Sequence, residues 1–364
     1  MGGEERRFIE EAFSANWISP AGPHLRLFEE QLSNYLGIKA CAALASGTAA
    51  IHLALLVLGV KPGEEVICST FTFAGSCNPI VYVGAVPVLV DSEPYTWNMD
   101  PDLLEEAIVD RIRKTGKKPG AIIIVHLYGM PARLDRLISI AQAYEIPVIE
   151  DAAEALGSEW FGRKAGTFGD IGIFSFNGNK IITTSGGGAL VSNNQNYVEK
   201  ARFLATQARE NALHYEHREV GYNYRLSNIC AAIGLGQLKV LEERIAQRRK
   251  VFNWYKARLN NHFSFLNEPE NVRSNRWITT PVVPGNNPEI TVNRIIHALD
   301  KHNIESRPLW KPMHLQPVYR QVPAYTNGLS EKLFKGGFCL PSGSSLAVNQ
   351  VERIAGICIE VVNN

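Results

Sequence analysis

The chain has 364 residues, of which 45% are hydrophobic and 20% charged, and its formal net charge is +1. This is the composition of a globular protein, and the balanced charge gives no indication of a nucleic-acid or membrane-surface partner. Residues 1–13, MGGEERRFIEEAF, carry charges but no apolar segment, so they do not resemble a signal peptide. The six cysteines form no CxxC pair. We therefore expect buried thiols in a reducing compartment, and predict a cytoplasmic protein without a metal site.

Residues 40 to 190 alternate short β-rich runs with helical patterns. The predicted strands are 65–70, 86–91, 121–129, 146–153, 170–176 and 188–194, and the predicted helices are 47–59, 100–114 and 134–146. Nearly continuous apolar runs such as VPVLV and IIIV are typical of strands buried on both faces. The order of elements predicts an α/β fold, with a mostly parallel sheet covered by helices. Ligands of such folds gather beyond the carboxyl ends of the strands.

The pattern changes after Leu226. Residues 227–259 read as one long helix, and residues 270–364 contain more prolines and short alternating runs. We therefore predict two domains. Residues 10–245 would form a large α/β domain and residues 246–364 a smaller α+β domain, on which residues 1–9 would pack.

Several familiar catalytic motifs are absent from the sequence, among them GxxxxGK[ST], GxGxxG, GxSxG and HExxH. Lys180 is therefore not a P-loop lysine. It lies in FSFNGNKIITTSGGG (174–188), between the ends of two predicted strands, where a solvated lysine is not expected. The glycines at 186–188 allow either a close approach of the backbone or a sharp turn.

Two further features lie at strand or helix ends. The turn SGT (46–48) opens an apolar helix, and Ser46 is either a helix N-cap or part of a phosphate site. Glu150 and Asp151 end an apolar strand. A carboxylate in that position costs desolvation energy unless a cation meets it, and the alternative is a second helix cap.

Together the three features fit one ligand that carries a phosphate, a basic ring nitrogen and an aldehyde, and pyridoxal phosphate (PLP) has all three. A lysine forms the Schiff base, a strand-end aspartate meets the ring nitrogen and a helix N-terminus holds the phosphate. At an effective dielectric constant of about 20, opposite charges about 4 Å apart gain roughly 4 kcal/mol. That corresponds to about three pKa units. Asp151 would thus keep the ring protonated and able to accept electrons.

The chain resembles the DegT/DnrJ/EryC1/StrS family of fold-type I, PLP-dependent aminotransferases, which act on nucleotide-linked keto sugars. The resemblance covers nearly the whole chain and is carried by SGTAAIHLALLVLG (46–59), STFTF (69–73), VHLYGMP (125–131), IEDAAEALGS (149–158), GDIGIFSFNGNKIITTSGGGALVS (169–192), YEHREVGYNYRLSNICAAIGLGQL (215–238) and PLWKPMHLQPVYR (308–320). The sequences FNGNKIITTSGGG and residues 201–217 most resemble those of bacillosamine-pathway enzymes. Those enzymes aminate C4 of a UDP-linked 2-acetamido-2,6-dideoxy-4-keto sugar.

The resemblance implies roles for individual residues. Lys180 would hold the cofactor as a Schiff base and then transfer the proton between donor carbon and cofactor. Asp151 would pair with the ring nitrogen, and Glu154 would lie near the ring oxygen, where many relatives have Gln. Further cofactor contacts would be Gly47, Thr48, Phe73, Ser175 and, from the neighbouring subunit, Asn223. Substrate contacts would be Arg225, Trp310 and His314, followed by Arg307.

The implied enzyme is a homodimer with shared active sites, in which PLP and its amino form, PMP, alternate. It would convert UDP-2-acetamido-2,6-dideoxy-4-keto-glucose to UDP-2-acetamido-4-amino-2,4,6-trideoxyglucose, with L-glutamate as donor. Two alternatives are a PLP-dependent sugar dehydratase on the same scaffold and a non-catalytic regulator that binds PLP or a nucleotide sugar. Similar dehydratases replace the lysine with His or add an iron–sulfur cysteine cluster, and a mere binder needs no Lys180–Asp151 pair. Relatives usually carry a short extended segment before the position of Met1. The resemblance also implies that residues 16–25 contribute to the substrate entrance.

Overall fold

A computed structural model of the chain describes residues 1–285 and 287–363. The strands within these residues are β1 (Ala40–Leu44), β2 (Glu65–Ser69), β3 (Val86–Val90), β4 (Ala121–Val125), β5 (Val148–Asp151), β6 (Glu159–Trp160), β7 (Arg163–Lys164), β8 (Ile171–Ser175), β9 (Gly188–Ser192), β10 (Ser264–Phe265), β11 (Val272–Arg273), β12 (Pro281–Val282), β13 (Arg307–Pro308), β14 (Ala324–Tyr325) and β15 (Phe338–Cys339). The helices are α1 (Glu5–Ser14), α2 (Pro23–Leu36), α3 (Gly47–Val57), α4 (Ala74–Tyr82), α5 (Pro101–Thr115), α6 (Leu134–Ala143), α7 (Gln195–Ala205), α8 (Asn228–Leu238), α9 (Leu241–Leu259), α10 (Pro288–Lys301), α11 (Leu329–Gly336) and α12 (Val348–Asn363).

A central sheet has the strand order β1-β9-β8-β5-β4-β2-β3-β14. Strand β9 pairs antiparallel with both of its neighbours, and the other pairs in the sheet are parallel. The predicted α/β fold with a mostly parallel sheet is therefore confirmed. Each of the six predicted strands is present with shorter bounds, whereas β1 was not predicted. Its sequence, ACAAL, carries small residues in place of the β-branched residues that mark the other strands.

The two faces of the sheet are buried by different helices, because successive residues of a strand point to opposite faces. In β4, Ala121 and Ile123 belong to the apolar cluster on one face, which includes residues of α3, α4 and α7. Ile122 and Ile124 belong to the cluster on the other face, together with residues of α5 and α6. Helices α1, α2 and α8 cover the remaining part of that second face, over β1, β8 and β9.

Capping residues explain where two of the helices begin. Helix α3 starts after Ser46, whose Oγ accepts a hydrogen bond from the N–H of Ala49 at 3.0 Å. Helix α5 starts after Asp100, whose carboxylate accepts from the N–H of Asp102 at 2.9 Å. Each contact satisfies a backbone donor that has no partner inside the helix. Ser46 is therefore a helix cap, as one of the two interpretations of the SGT turn proposed.

The long helix predicted over residues 227–259 is two helices, because the chain breaks between α8 and α9 at Lys239 and Val240. Helix α9 joins two apolar cores. Ile245 packs with the large-domain cluster, whereas Val251, Tyr255 and Leu259 pack with residues of α10 and α12. We propose that the large and small domains divide within α9, near residue 245. The division is incomplete, because β14 adds to the edge of the central sheet beside β3.

The N-terminal helix does not pack where the sequence suggested. Phe8 and Ala12 of α1 lie in the large-domain cluster, beside residues of α2 and α8. Nε2 of Gln237 in α8 also donates to Oε1 of Glu5 at 2.5 Å. The prediction that residues 1–9 pack on the C-terminal domain is therefore wrong. It missed the apolar spacing of Phe8 and Ala12, which matches a helix face turned toward α8. None of the helices described is both long and apolar enough to cross a membrane.

Candidate active site

A cavity of about 210 Å³ lies at the carboxyl ends of β5 and β8 and at the N-terminus of α3. Eight of the residues predicted for the site line it: Gly47, Thr48, Phe73, Asp151, Glu154, Ser175, Lys180 and Trp310. This is the edge of a parallel sheet where ligands of α/β folds gather. The three features singled out in the sequence thus converge in one place.

Lys180 lies in the turn after β8, where its N–H donates to the carbonyl of Asn177 at 3.0 Å. Its side chain is 13% exposed, and its Nζ lies 3.6 Å from Oε1 of Glu154. The same Nζ lies 4.0 Å from the centroid of the Trp277 ring. The amine is therefore held between a carboxylate and an aromatic face, both of which attract a cation.

Glycine at position 188 brings this turn against the start of α3. A Cβ at Gly188 would lie 2.4 Å from the carbonyl carbon of Ser46 and 2.5 Å from the nitrogen of Gly47. A Cβ at Gly47 would in turn lie 3.3 Å from Cβ of Ser175. Gly188 therefore serves the close backbone approach that was one of the two interpretations of the GGG run, whereas a Cβ at Gly186 would meet nothing within 4 Å. Gly47 and Gly188 place the free N–H groups of the α3 terminus beside the hydroxyl of Ser175.

Asp151 is a buried carboxylate held by two hydrogen bonds. Its side chain accepts hydrogen bonds from Oγ of Ser76 at 2.6 Å and from the N–H of Ala153 at 3.1 Å, and Asp151 is 6% exposed. No Lys, Arg or His nitrogen of residues 1–285 and 287–363 lies within 4.0 Å of it. A buried charge of this kind is costly unless a counter-ion meets it. Asp151 therefore fits a ligand with a protonated nitrogen.

Glu150 does not belong to the site, because it points to the opposite face of β5. It is fully buried and accepts hydrogen bonds from the N–H groups of Gly166 at 2.8 Å and Gly169 at 2.6 Å. Nε2 of His126 lies 2.9 Å from its carboxylate. The expectation that both acids face a ligand is wrong for Glu150, since adjacent strand residues alternate between faces.

Glu154 connects the cavity to two segments of the resemblance. Its Oε2 accepts from the N–H of Tyr128 at 2.6 Å, and the hydroxyl of Tyr128 accepts from the N–H of Trp310 at 2.8 Å. Burial raises the pKa of Glu154, while the ammonium of Lys180 and the Tyr128 N–H act in the opposite direction. The segments VHLYGMP and PLWKPMHLQPVYR thus position the carboxyl group next to the lysine.

Two aromatic rings border the mouth of the cavity. Phe73, 58% exposed, lies with its ring centroid 5.6 Å from that of Trp310. The indole ring of Trp310 also stacks on Tyr128 at 6.0 Å. Nε1 of Trp310 is buried and has no hydrogen-bond partner among the residues described. The indole N–H acts to lower the pKa of the nearby Glu154, and it is also available to an acceptor on a bound ligand.

Four predicted residues do not line the cavity. Arg225 pairs through Nη1 with Oε1 of Glu29 at 2.8 Å, so within one chain it supports the fold. His314 contacts Oγ1 of Thr70 through Nδ1 at 2.7 Å and Oε1 of Glu331 through Nε2 at 3.2 Å. Arg307 lines a neighbouring cavity. Asn223 is exposed, in a bridge to Thr206.

Trp277 and Ser76 are among the residues of the site that were not predicted. Trp277 lies in the irregular segment between β11 and β12, and no motif or periodicity marks it. Its Nε1 donates to the carbonyl of Asn179 at 2.7 Å, so it braces the turn that carries Lys180. Ser76 follows the quoted segment STFTF by three residues. Its hydroxyl lies about one helical turn after Phe73, and this spacing is the feature of the sequence that could have indicated Ser76.

Comparison with known proteins places the chain in a family. The family model for the DegT/DnrJ/EryC1/StrS aminotransferase family matches residues 1–358. EpsN of Bacillus subtilis (strain 168), whose name describes a pyridoxal phosphate-dependent aminotransferase, is 50% identical over 99% of this chain and 94% of its own length. The GDP-perosamine synthase of Caulobacter vibrioides (strain ATCC 19089 / CIP 103742 / CB 15) is 37% identical over 100% of this chain and 96% of its own.

A solved structure agrees with this placement. The protein Spr1654 of Streptococcus pneumoniae, named as a sugar aminotransferase, was solved in a PMP form. That form is 28% identical and matches with a TM-score of 0.91, over 99% of this chain and 96% of its own. Its PLP form matches with a TM-score of 0.88. A buried carboxylate (Asp151), an amine (Lys180) and a helix N-terminus (that of α3) are the kinds of group that PLP sites use. The chain belongs to the DegT/DnrJ/EryC1/StrS aminotransferase family and is a PLP-dependent sugar aminotransferase.

Proposed function

We propose that the enzyme transfers the amino group of L-glutamate to C4 of UDP-2-acetamido-2,6-dideoxy-4-keto-glucose. The product would be UDP-2-acetamido-4-amino-2,4,6-trideoxyglucose. The observation that carries the catalytic part of this proposal is the convergence of Lys180, Asp151 and the α3 terminus in one cavity. The family membership makes an aminotransferase a better account than a sugar dehydratase or a PLP-binding regulator.

The chain's own groups would hold the cofactor at three points. The N–H groups at the start of α3, with Thr48 and Ser175, offer donors for a phosphate. Asp151, held by Ser76, offers a carboxylate to the ring nitrogen. Phe73 and Ala153 also line the cavity and would restrict the plane of the ring. When bound, PLP supplies an aldehyde that reacts with amines and a ring that accepts electrons.

Lys180 is proposed to hold the cofactor between turnovers and to transfer the proton during them. Once substrate displaces it, its amine is free to take a proton from the donor carbon and to return it later. Glu154 at 3.6 Å and Trp277 at 4.0 Å restrict where this amine can move. A positioned base of this kind contributes about a hundredfold to ten-thousandfold to the rate.

Glu154 is proposed to lie near the ring oxygen of the cofactor, as the resemblance implied. Burial raises the pKa of Glu154, so this carboxyl group takes up a proton at a higher pH than an exposed one does. A protonated carboxyl group can donate a hydrogen bond to the ring oxygen, as the amide of a glutamine does. This would make Glu154 a working equivalent of the Gln found in many relatives.

The sugar and the nucleotide are proposed on different grounds. Trp310 lines the cavity and offers an unpartnered indole N–H, so it is our proposed contact for the sugar. The UDP-linked sugar rests on the resemblance of residues 176–188 and 201–217 to bacillosamine-pathway enzymes. The similarity to GDP-perosamine synthase instead favours a GDP-linked sugar, and this is the second candidate.

The catalytic unit is proposed to be a homodimer in which Asn223 reaches the cofactor phosphate of the partner. Asn223 is exposed and lies outside the cavity of its own chain, as a residue that acts on a second copy must. Large exposed apolar side chains lie on the same segment, Leu213, Tyr215 and Val220. Such side chains are commonly buried by a partner.

The assay that tests the proposed reaction uses purified holoenzyme, L-glutamate and a matched pair of UDP- and GDP-linked 4-keto-6-deoxy sugars. We expect amination of the UDP-linked sugar with a higher kcat/KM than that of the GDP-linked sugar. The configuration at C4 of the product is read by NMR, and an equatorial amine is expected for the named product. A higher kcat/KM for the GDP-linked sugar would overturn the nucleotide assignment. No amination of either would overturn the substrate class.

A further inference from the structure

A second cavity opens beside the cofactor cavity. It lies where α9 and α12 meet the segment that follows α10, and its volume is about 690 Å³. The two cavities share Asn179 and Trp310 among their lining residues. The second cavity therefore adjoins the cavity that Lys180 lines.

The wall of the second cavity carries more positive than negative charge. The cations that line it are Arg248, Arg307 and Arg353. Glu305 is the one acidic side chain among its described lining residues, and it pairs with Arg307 at 2.9 Å where both side chains are exposed. A concave surface with a surplus of cations attracts anions.

Two cations of this wall, Arg353 and Arg248, have no carboxylate partner among the described residues; Arg353 is exposed, whereas Arg248 is partly buried. Its Nη1 donates to the carbonyl of Trp277 at 2.8 Å. Its Nε is buried without a hydrogen-bond partner, and no carboxylate of residues 1–285 and 287–363 lies within 4.0 Å. Burial lowers the pKa of Arg248 to about 10, so the group stays charged at neutral pH. A largely buried guanidinium without an anion is costly to keep.

We propose that the cavity around Arg248 is the anion subsite of the enzyme, and that it takes the carboxylate of the amino donor or the diphosphate of the nucleotide sugar. The inference rests on the proposed function, which supplies both anions. Carboxylate and phosphate oxygens share the chemistry that a guanidinium binds best, with paired charge-assisted hydrogen bonds. Donor and acceptor occupy the cofactor cavity in turn, so one subsite beside Lys180 can serve either substrate.

The test separates the charge of Arg248 from its contact with Trp277. Arg248→Gln removes the charge and keeps an N–H donor for the Trp277 carbonyl, and Arg248→Lys keeps the charge. Arg258→Gln is the matched control, because Arg258 is a cation of the same helix that pairs with Glu352 and does not line the cavity. Arg307→Gln removes a cation from the exposed rim of the cavity, where a substitution does not threaten the fold.

Binding of glutarate, UDP and GDP to each holoenzyme is measured by isothermal titration calorimetry. Glutarate is a dicarboxylate that cannot transaminate, and the two nucleotides carry the diphosphate. We expect Arg248→Gln to raise the Kd of at least one probe by about tenfold to a hundredfold. Arg248→Lys and Arg307→Gln are expected to raise it by about threefold, and the control variant should bind as wild type does. The visible absorption of the bound cofactor should be the same in every variant, since Lys180 is untouched.

Each outcome decides for or against the subsite. A weaker affinity for glutarate alone assigns the subsite to the donor, and a weaker affinity for UDP or GDP assigns it to the nucleotide. Unchanged affinities in both Arg248→Gln and Arg307→Gln overturn the proposal, as does wild-type enzyme that binds none of the three probes. Failure of the proposed function appears separately, as wild-type enzyme that binds these probes but does not aminate a nucleotide-linked keto sugar.

Discussion

The indole ring of Trp277 faces the amine of Lys180, with its centroid 4.0 Å from Nζ. The same indole donates its N–H to the carbonyl of Asn179 at 2.7 Å, which is the residue before the lysine. Trp277 is 1% exposed, so water does not compete for either contact. One side chain therefore fixes both the backbone that carries the amine and the position of the amine itself.

Replacement of Trp277 should impair proton transfer more than cofactor binding. A cation–aromatic contact away from water contributes about 2 kcal/mol, so Trp277→Leu is expected to lower kcat about thirtyfold. Trp277→Phe keeps an aromatic face and should retain most of kcat. Steady-state kinetics with L-glutamate and the cofactor Kd of each variant measure the effect. Equal losses of kcat in the two variants would contradict a role for the aromatic face.

Asp151→Asn should lower kcat by up to about a thousandfold. The expected loss follows from an interaction of roughly 4 kcal/mol between opposite charges about 4 Å apart at an effective dielectric constant of about 20. Ser76→Ala removes a hydrogen bond from the same carboxylate and should cost about tenfold. The kcat of each variant, with L-glutamate as amino donor, is compared with that of the wild-type holoenzyme. An Asp151→Asn enzyme no slower than Ser76→Ala would refute the pairing with the ring nitrogen.

Glu154 should make the stability of the cofactor-free protein depend on pH. Because burial raises its pKa in the folded state, the folded protein binds a proton more readily than the unfolded chain. This contribution is fully present below the ordinary pKa of 4.5. It is lost as the pH rises through the raised folded pKa.

The Glu154→Gln variant isolates that contribution. It lacks the titrating group, so its free energy of unfolding minus that of wild type should grow as the pH rises through the raised pKa, then level off. Urea unfolding at a series of pH values measures the difference. A difference that stays constant with pH would show that Glu154 does not titrate with a raised pKa.

Asn223 should act on the active site of the partner chain. Asn223→Ala is expected to raise the cofactor Kd about tenfold, because it removes a hydrogen bond to a charged group. At a PLP concentration below the Kd of Asn223→Ala, coexpression of Asn223→Ala with Lys180→Ala should restore activity above that of either parent, because one site of each mixed dimer then has both residues intact.

Coexpression of Asp151→Asn with Lys180→Ala is the matched control for this complementation. Asp151 and Lys180 line the same cavity of one chain, so no site of that mixed dimer is intact and no activity should return. A different affinity tag on each variant, used in two successive purification steps, isolates the mixed dimers. Mixed dimers with Asn223→Ala that are no more active than their parents would exclude the shared site.

Much of the large domain could be predicted from the sequence, because its signals are local. Apolar β-branched runs such as residues 121–125 mark buried strands, and Asp100 marks the start of α5 by its capping chemistry. The break between α8 and α9 could not be predicted in this way. No proline or glycine lies in residues 237–242, and Val240 is not a residue that ends a helix by itself.

The candidate site, too, could be predicted from the sequence only in part. Lys180 and Asp151 follow strands and so share one edge of the sheet, which the strand order alone predicts. Trp277 reaches Lys180 from an irregular segment, and its contact depends on how the C-terminal part of the chain folds back. A position at the end of a strand does not by itself show that a side chain faces the site. Glu150 and Asp151 are adjacent in β5 and therefore point to opposite faces.

The most direct test of the account is the identity of the lysine that holds the cofactor. Holoenzyme is reduced with sodium borohydride, which fixes the cofactor to its lysine, and peptide mass spectrometry then locates the modification. We predict that Lys180 carries it, and that Lys180→Ala holds PLP without a covalent bond and does not catalyse transamination. A modification on another lysine, or full aminotransferase activity in Lys180→Ala, would contradict the central claim.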